Sequence, residues 1–301
     1  MNSDINNSYI DMHIHTSCSD GVFSPKEAVE YALNMKLAAI SITDHDSVDG
    51  IDEALNCSLQ SDIEVIPGIE LSSEVESESG KSEIHILGYY IDYKSEYLKE
   101  SLDIFKRARY DRAVKIFERL KKNGVELKNA DFINNAGNKA IGRLHFAKAL
   151  IEEKFVSSVQ EAFQKYLSKD KPAYVPKYSI SVKEAIKLVL DSGGIPVMAH
   201  PYYAHYTDIN LFKSLIDCGL MGIEAWHIKH SESVVKRFTD IAKKFNLLVT
   251  GGSDCHGPYK KESPLMGKVK VPYSVLISLK KNKKVSLQRL IYGIYKQNGF
   301  S

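Results

Sequence analysis

Residues 9–21 read YIDMHIHTSCSDG. Tyr9–Ile14 has the apolar, β-prone texture of a strand, and His13 and His15 fall two apart at its end. Side chains two apart on an extended chain leave the same face, so these imidazoles can grip one cation together. Asp20 adds a carboxylate, although Asp before Gly21 also suits a turn. A single His pair is a weak signal. Five more predicted strand ends repeat the theme: His45 in ITDHD, Glu70 in IPGIE, His85 in EIHILGYY, His200 in VMAHP, and Asp254 with His256 in GGSDCHG.

Taken singly, each has an ordinary explanation: His85 as a hydrogen-bonded histidine, Asp254 as a loop cap. Glu70 is harder to set aside, because an unpaired carboxylate is costly to bury at the end of an apolar strand. The joint pattern decides for a multinuclear metal site. Parallel strands surrounded by helices present functional groups at their carboxyl ends. Histidine and carboxylate without thiolate suit manganese, zinc or iron(II) rather than copper(I). The set exceeds the roughly three to five protein donors that one ion takes, so two to three divalent ions are expected. Such ions supply a hydroxide at neutral pH and neutralise a phosphoryl group.

Around these motifs the chain alternates strands and helices. Strands are predicted at Tyr9–Ile14, Ala38–Thr43, Glu64–Ile69 and Glu83–Ile91. In SPKEAVEYALNMK, Ser24 is a natural N-cap, Pro25 suits the first helical position and Glu27 completes a capping box. Such alternation implies a mostly parallel sheet or barrel. From 94 to 193 the texture turns helical, with helices expected over Tyr97–Lys122, Gly142–Glu152, Ser157–Tyr166 and Val182–Ser192, and one short strand at Ala173–Val175. The alternation resumes with strands at Ile195–Ala199, Gly222–Trp226, Leu247–Gly251 and Lys268–Val271. The expected organisation is an α/β barrel domain formed by 8–93 and 194–290, with 94–193 inserted as a helical segment over its mouth.

Composition narrows the class. The 301 residues are 44% hydrophobic, enough for a substantial core. Forty basic against 38 acidic residues give no broad charge for a long duplex nucleic acid, and the basic stretch 280–289 reads as a solvated face. The four cysteines are scattered without a CxxC pair, which excludes a zinc ribbon and a disulfide framework. No signal-peptide signature opens the sequence and no apolar run reaches the length of a membrane span, so a cytoplasmic protein without a membrane partner is expected.

In chain order, HIHTSCSDG, ITDHDSVDG, PGIELSS, HILGYY, AHP and GSDCHG resemble the motifs of the polymerase and histidinol phosphatase (PHP) superfamily. The resemblance covers residues 8–92 and 194–258. It implies a distorted (β/α)7 barrel with a trinuclear site: His13, His15, Glu70 and Asp254 on one ion; Glu70 bridging to a second ion with His85 and His200; Asp20, His45 and His256 on a third. Within the superfamily the chain looks most like the branch acting on nucleoside 3′,5′-bisphosphates and short 5′-phosphorylated oligonucleotides. That branch carries an Arg-Pro-His motif, matched here by GRLHFAKAL with Arg143 and His145 kept and Leu144 in place of proline. The resemblance implies a phosphoesterase using a metal-bridging hydroxide, with a nucleotide or short oligonucleotide as substrate. The same resemblance leaves two alternatives for this chain: an L-histidinol phosphate phosphatase, and a non-catalytic PHP module that binds metal or nucleotide.

Arg143, at the start of a predicted helix, can clasp a phosphate together with His145. His227 and His230 in EAWHIKH follow a strand end, where imidazoles can bind phosphate or protonate a leaving oxygen. Glu70, His256 and His230 are the residues expected to serve catalysis. Asp44 and Asp46 flank His45 and suit orientation of a ligand ring or helix capping. Cys255, between two of the donors, is expected to point away into packing.

Overall fold

β1 (Tyr9–Ile14) lies between β2 (Ala39–Ile42), parallel to it, and β9 (Val271–Pro272), antiparallel to it. The structure is a computed structural model describing residues 8–59, 61–77, 80–128, 141–202, 209–258 and 262–284. The tail from 285 therefore lies outside the described residues. Beyond β2 come β3 (Glu64–Ser77), β4 (Gly80–Tyr89), β6 (Ile195–Met198), β7 (Gly222–His227) and β8 (Leu248–Gly252), while β5 (Ile180–Ser181) pairs with β3. Among the described residues, no helix is long and apolar enough to cross a membrane.

The sheet curls into a barrel. Past the end of β8, Cys255 bridges Ile14 in parallel, and the His15 N–H donates to the Cys255 carbonyl at 2.9 Å. Lower on this seam a buried side chain ties the strands. Asp11 Oδ1 accepts the Ser253 N–H at 2.8 Å, and Oδ2 accepts the Gly267 N–H at 3.1 Å. Cys255 is buried with Ile14 and Val29 in an apolar cluster, pointing away from its polar neighbours.

The sheet is mostly parallel, as expected, but β4 runs antiparallel to both β3 and β6. The reason is the connection: β3 and β4 form one hairpin in register from Gly68↔Tyr89 to Ser77↔Gly80, leaving no room for a crossover helix. β3 thus runs well past the predicted Ile69. Ala173–Val175 forms no strand; Ala173 and Val175 are buried in a cluster with Phe146, Leu150 and Leu167.

The first helix, Pro25–Asn34, starts on the predicted box: Ser24 Oγ accepts the Glu27 N–H, and the Glu27 carboxylate accepts the Ser24 N–H. Helix Glu96–Lys122 joins two cores. Leu98, Leu102 and Phe105 pack with Ile69, Leu71 and Ile86 of the β3–β4 hairpin, whereas Ala113, Ile116 and Leu120 pack with Phe146 and Leu150 of helix Arg143–Glu152. This helix therefore links the second core to the barrel core.

The seam permits no side chain at Gly252, where a Cβ would lie 2.4 Å from both the backbone N and the Cβ of His13. Gly252→Ala is therefore expected to lower unfolding free energy by about 1–3 kcal/mol. Urea denaturation checks this, and an unchanged midpoint would show that the seam can open at no cost.

Candidate metal centre

Glu70 stands at the middle of the mouth with no exposed surface. Its Oε1 lies 2.8 Å from His85 Nδ1 and 2.9 Å from His200 Nε2; its Oε2 lies 3.2 Å from both His13 Nε2 and His15 Nε2 and 3.1 Å from His45 Nδ1. Five imidazoles thus surround one carboxylate. Neither Glu70 nor His85 is at a strand end: both sit inside the long hairpin, and His85 faces the mouth because β4 runs opposite to its neighbours. His45 follows β2 and is held beside Glu70 by a parallel bridge. His200 and Asp254, in the turns after β6 and β8, adopt φ of 23° and 53°, a strained region for residues other than glycine.

Three groups of described residues have donor atoms all within 4.8 Å of one another: His13, His15, Glu70 and Asp254; His45, Glu70 and His85; and His15, Asp20, His45 and His256. In the first group, His13 Nε2 and His15 Nε2 are 3.1 Å apart, and Asp254 Oδ1 is 3.1 Å from His15 Nε2 and 3.5 Å from His13 Nε2. These separations, with those to Glu70, are close enough for the four side chains to share one cation, which they would hold. In the third group, His256 Nε2 is 3.3 Å from Asp20 Oδ1, His45 Nε2 is 4.0 Å from Asp20 Oδ2, and His15 Nδ1 is buried without a hydrogen-bond partner. Imidazole and carboxylate donors converging in this way fit divalent cations.

Charge supports the fit. Burial pushes His15 down, but Asp254 and Glu70 outweigh it and raise the ring to about 10. His85 is likewise lowered by burial and raised, chiefly by Glu70, to about 9. Burial prevails at His45 and brings it down to about 3. Protons on His15 and His85 therefore take the place of cations in the metal-free chain.

Around the donors lies a second layer. His13 Nδ1 is 2.9 Å from Glu224 Oε1. Asp44 accepts the Thr16 N–H, the Thr16 hydroxyl and the Ser19 hydroxyl, which fixes the loop leading to Asp20. Asp46 accepts the Ser72 N–H at 2.7 Å and Arg109 Nη2 at 2.6 Å. Neither aspartate caps helix Ile51–Ser58, whose N-cap is Gly50. His227 is buried, its Nε2 facing Asp254 Oδ2 at 3.4 Å and its Nδ1 accepting the Lys229 N–H. His230 stands one ring further out, 5.2 Å from His227; its Nδ1–H donates to the Ala225 carbonyl, leaving Nε2 buried without a hydrogen-bond partner.

Beside Asp20 and His45 opens a cleft of about 230 Å³ lined also by Arg109, Arg112, Arg143 and Lys177. Arg143 donates to the Leu167 carbonyl and lies over the rings of Phe163 and Tyr174. Burial, with Arg143 and Arg109 nearby, brings Arg112 down to about 10, so it keeps its charge at neutral pH. His145 does not line the cleft; its Nδ1 accepts the Gly142 N–H at the helix start. Sequence reading passed over Arg109 and Arg112, which look like a solvated helix face in KRARYDRA, and Lys177. It also passed over Glu224, whose signal was that of Glu70, a carboxylate inside an apolar strand.

A barrel gathering these donors beside a basic cleft defines a metal-dependent phosphoesterase. The chain belongs to the PHP domain family, whose model matches residues 11–175. It is 32% identical to a 5′-3′ exoribonuclease of Haemophilus influenzae over 82% of this chain and 90% of that one. With a 3′,5′-nucleoside bisphosphate phosphatase of Chromobacterium violaceum it shares 29% identity over 83% and 87% of the two chains. A solved structure from Bifidobacterium adolescentis, provisionally assigned as a metal-dependent phosphoesterase, superposes with a TM-score of 0.79 at 28% identity, covering 90% of this chain and 95% of that one.

Since ligation requires bare imidazole nitrogens, manganese uptake at pH 7.5 should release protons from His15 and His85, and affinity should rise as pH climbs towards 9 to 10. Calorimetry in buffers of differing ionisation enthalpy reads this directly. A proton-neutral uptake would contradict it. Glu70→Gln should abolish both metal retention and hydrolysis while the barrel stays folded, as elemental analysis and circular dichroism would show. Full activity in that variant would remove Glu70 from the centre.

Proposed function

We propose that this chain hydrolyses a phosphate ester of a nucleotide that carries a second phosphate, either a nucleoside 3′,5′-bisphosphate or the 5′ end of a short oligonucleotide. The observation carrying this reading is the basic cleft: Arg109, Arg112, Arg143 and Lys177 face a small volume whose other wall is Asp20 and His45. One phosphate lies against the donors, and the guanidinium groups take the other through charge-assisted hydrogen bonds. The names of the two curated relatives, a bisphosphate phosphatase and an exoribonuclease, support the same substrate class. In this reading the barrel segments 8–93 and 194–290 carry the ions, and 94–193 supplies the phosphate-binding bases.

His13, His15, Asp20, His45, Glu70, His85, His200, Asp254 and His256 would hold two to three divalent ions. Bound there, such ions supply the nucleophilic hydroxide and neutralise the charge developing on the phosphoryl oxygens. The protein's own part is orientation and proton handling. His227 holds Asp254 by its second oxygen. His256 is half-exposed at the rim, its Nδ1–H donating to the Asp254 carbonyl at 2.9 Å. Burial pushes His230 down, which keeps its ring neutral. With Nδ1–H on the Ala225 carbonyl, a neutral His230 presents Nε2 as a base, which would take up a proton from solvent before passing it to the departing alcohol.

Phosphate release from adenosine 3′,5′-bisphosphate, from a short 5′-phosphorylated RNA and from histidinol phosphate, with manganese and with chelator, tests the reading. Manganese-dependent turnover of either nucleotide substrate is expected; turnover of histidinol phosphate alone would overturn it. Arg143→Ala should raise KM about 10- to 100-fold, the worth of one or two hydrogen bonds to a charged group, with metal content unchanged. An unaltered KM would take Arg143 out of the phosphate site.

A further inference from the structure

Glu224 lies inside β7 with no exposed surface, between Ile223 and Ala225 of an apolar cluster. We propose that Glu224 is a positioning residue of the metal centre, setting the His13 ring and the His200 backbone so that both imidazoles converge on Glu70. This rests on the metal-centre reading above. Each of its oxygens has one task. Oε1 lies 2.9 Å from His13 Nδ1, so that nitrogen donates and Nε2 is turned towards His15, Glu70 and Asp254. Oε2 accepts the His200 N–H at 2.8 Å. That bond holds the turn after β6 at a φ of 23°, which a histidine does not adopt unaided. The two rings so held stack 5.7 Å apart at 19°, and their Nε2 atoms reach opposite oxygens of Glu70.

A purely structural role accounts poorly for this residue. An apolar side chain of similar volume would occupy the same place in β7 without the cost of burying a charge. Both hydrogen bonds of the carboxylate, to His13 Nδ1 and to the His200 N–H, go to residues of the donor set. Its charge also makes His13 a stronger donor, as a carboxylate behind a ligand imidazole does.

The test is Glu224→Gln. The amide keeps the shape and one acceptor oxygen, but it turns an NH₂ group towards one of the two donors. Metal-stripped wild type and variant are titrated with manganese, and free ion is followed by electron paramagnetic resonance. Metal-free melting is recorded in parallel. Affinity is expected to fall about 10- to 100-fold, and kcat at saturating manganese to fall with KM unchanged, because the phosphate cleft is untouched. Unchanged manganese affinity in the variant, whatever its melting temperature, overturns the role. Wild type that takes up no manganese overturns the metal-centre reading and this role with it. Should Glu224→Gln fail to fold, Glu224→Asp, which keeps the charge and shortens the reach, is titrated in the same way and is expected to bind manganese more weakly than wild type; equal affinity overturns the role.

Discussion

A single carboxylate with no contact to solvent sets the terms for the rest of this molecule. Glu70 is held within 3.2 Å of five ring nitrogens contributed by β1 and the residue that follows it, by the segments after β2 and β6, and by β4. A carboxylate in that position is tolerable only where positive charge meets it from several sides. Burial by itself would raise Glu70, and the charged rings of His13 and His85 beside it outweigh that and hold the group below the usual carboxylate range. The barrel must close for those residues to arrive together. The seam between β1 and β8, with Gly252 against His13 and Asp11 reaching across to Ser253, is therefore part of the site's chemistry.

Behind the donors, further buried acids each restrain one segment. Asp44 restrains the loop that carries Asp20, Asp46 the stretch around His45, and Glu224 both His13 and the His200 turn. The Asp46–Arg109 pair also ties helix Glu96–Lys122 to the barrel mouth. This contact places the arginine-rich side of that helix next to the donors, so the spacing between the donors and the basic cleft is set by a largely buried ion pair.

Much of this was legible in the chain. The Ser24–Glu27 box, the strand at Tyr9–Ile14 and the alternation that makes a barrel are local patterns, written in residues a few positions apart. The nine imidazoles and carboxylates were legible as a set, because polar groups of that kind seldom interrupt apolar strands without a partner. The resemblance to the PHP superfamily lay in the order of the same short motifs. Other features lay beyond local reading: Arg109 and Arg112 have the spacing of any solvated helix face, and Glu224 stands alone in its strand.

The sequence by itself determined which side chains could bind cations and which segments would become strands and helices, since both follow from residue chemistry and from periods of two or about four residues. Only the tertiary structure decided that β4 runs against its neighbours, that His45 stands between Glu70 and Asp20, and that three arginines and a lysine share one cleft with the donors. Those relations join residues tens to hundreds of positions apart. They are fixed by hairpin registry, barrel closure and the packing of one long helix across two cores, and no stretch of sequence contains them.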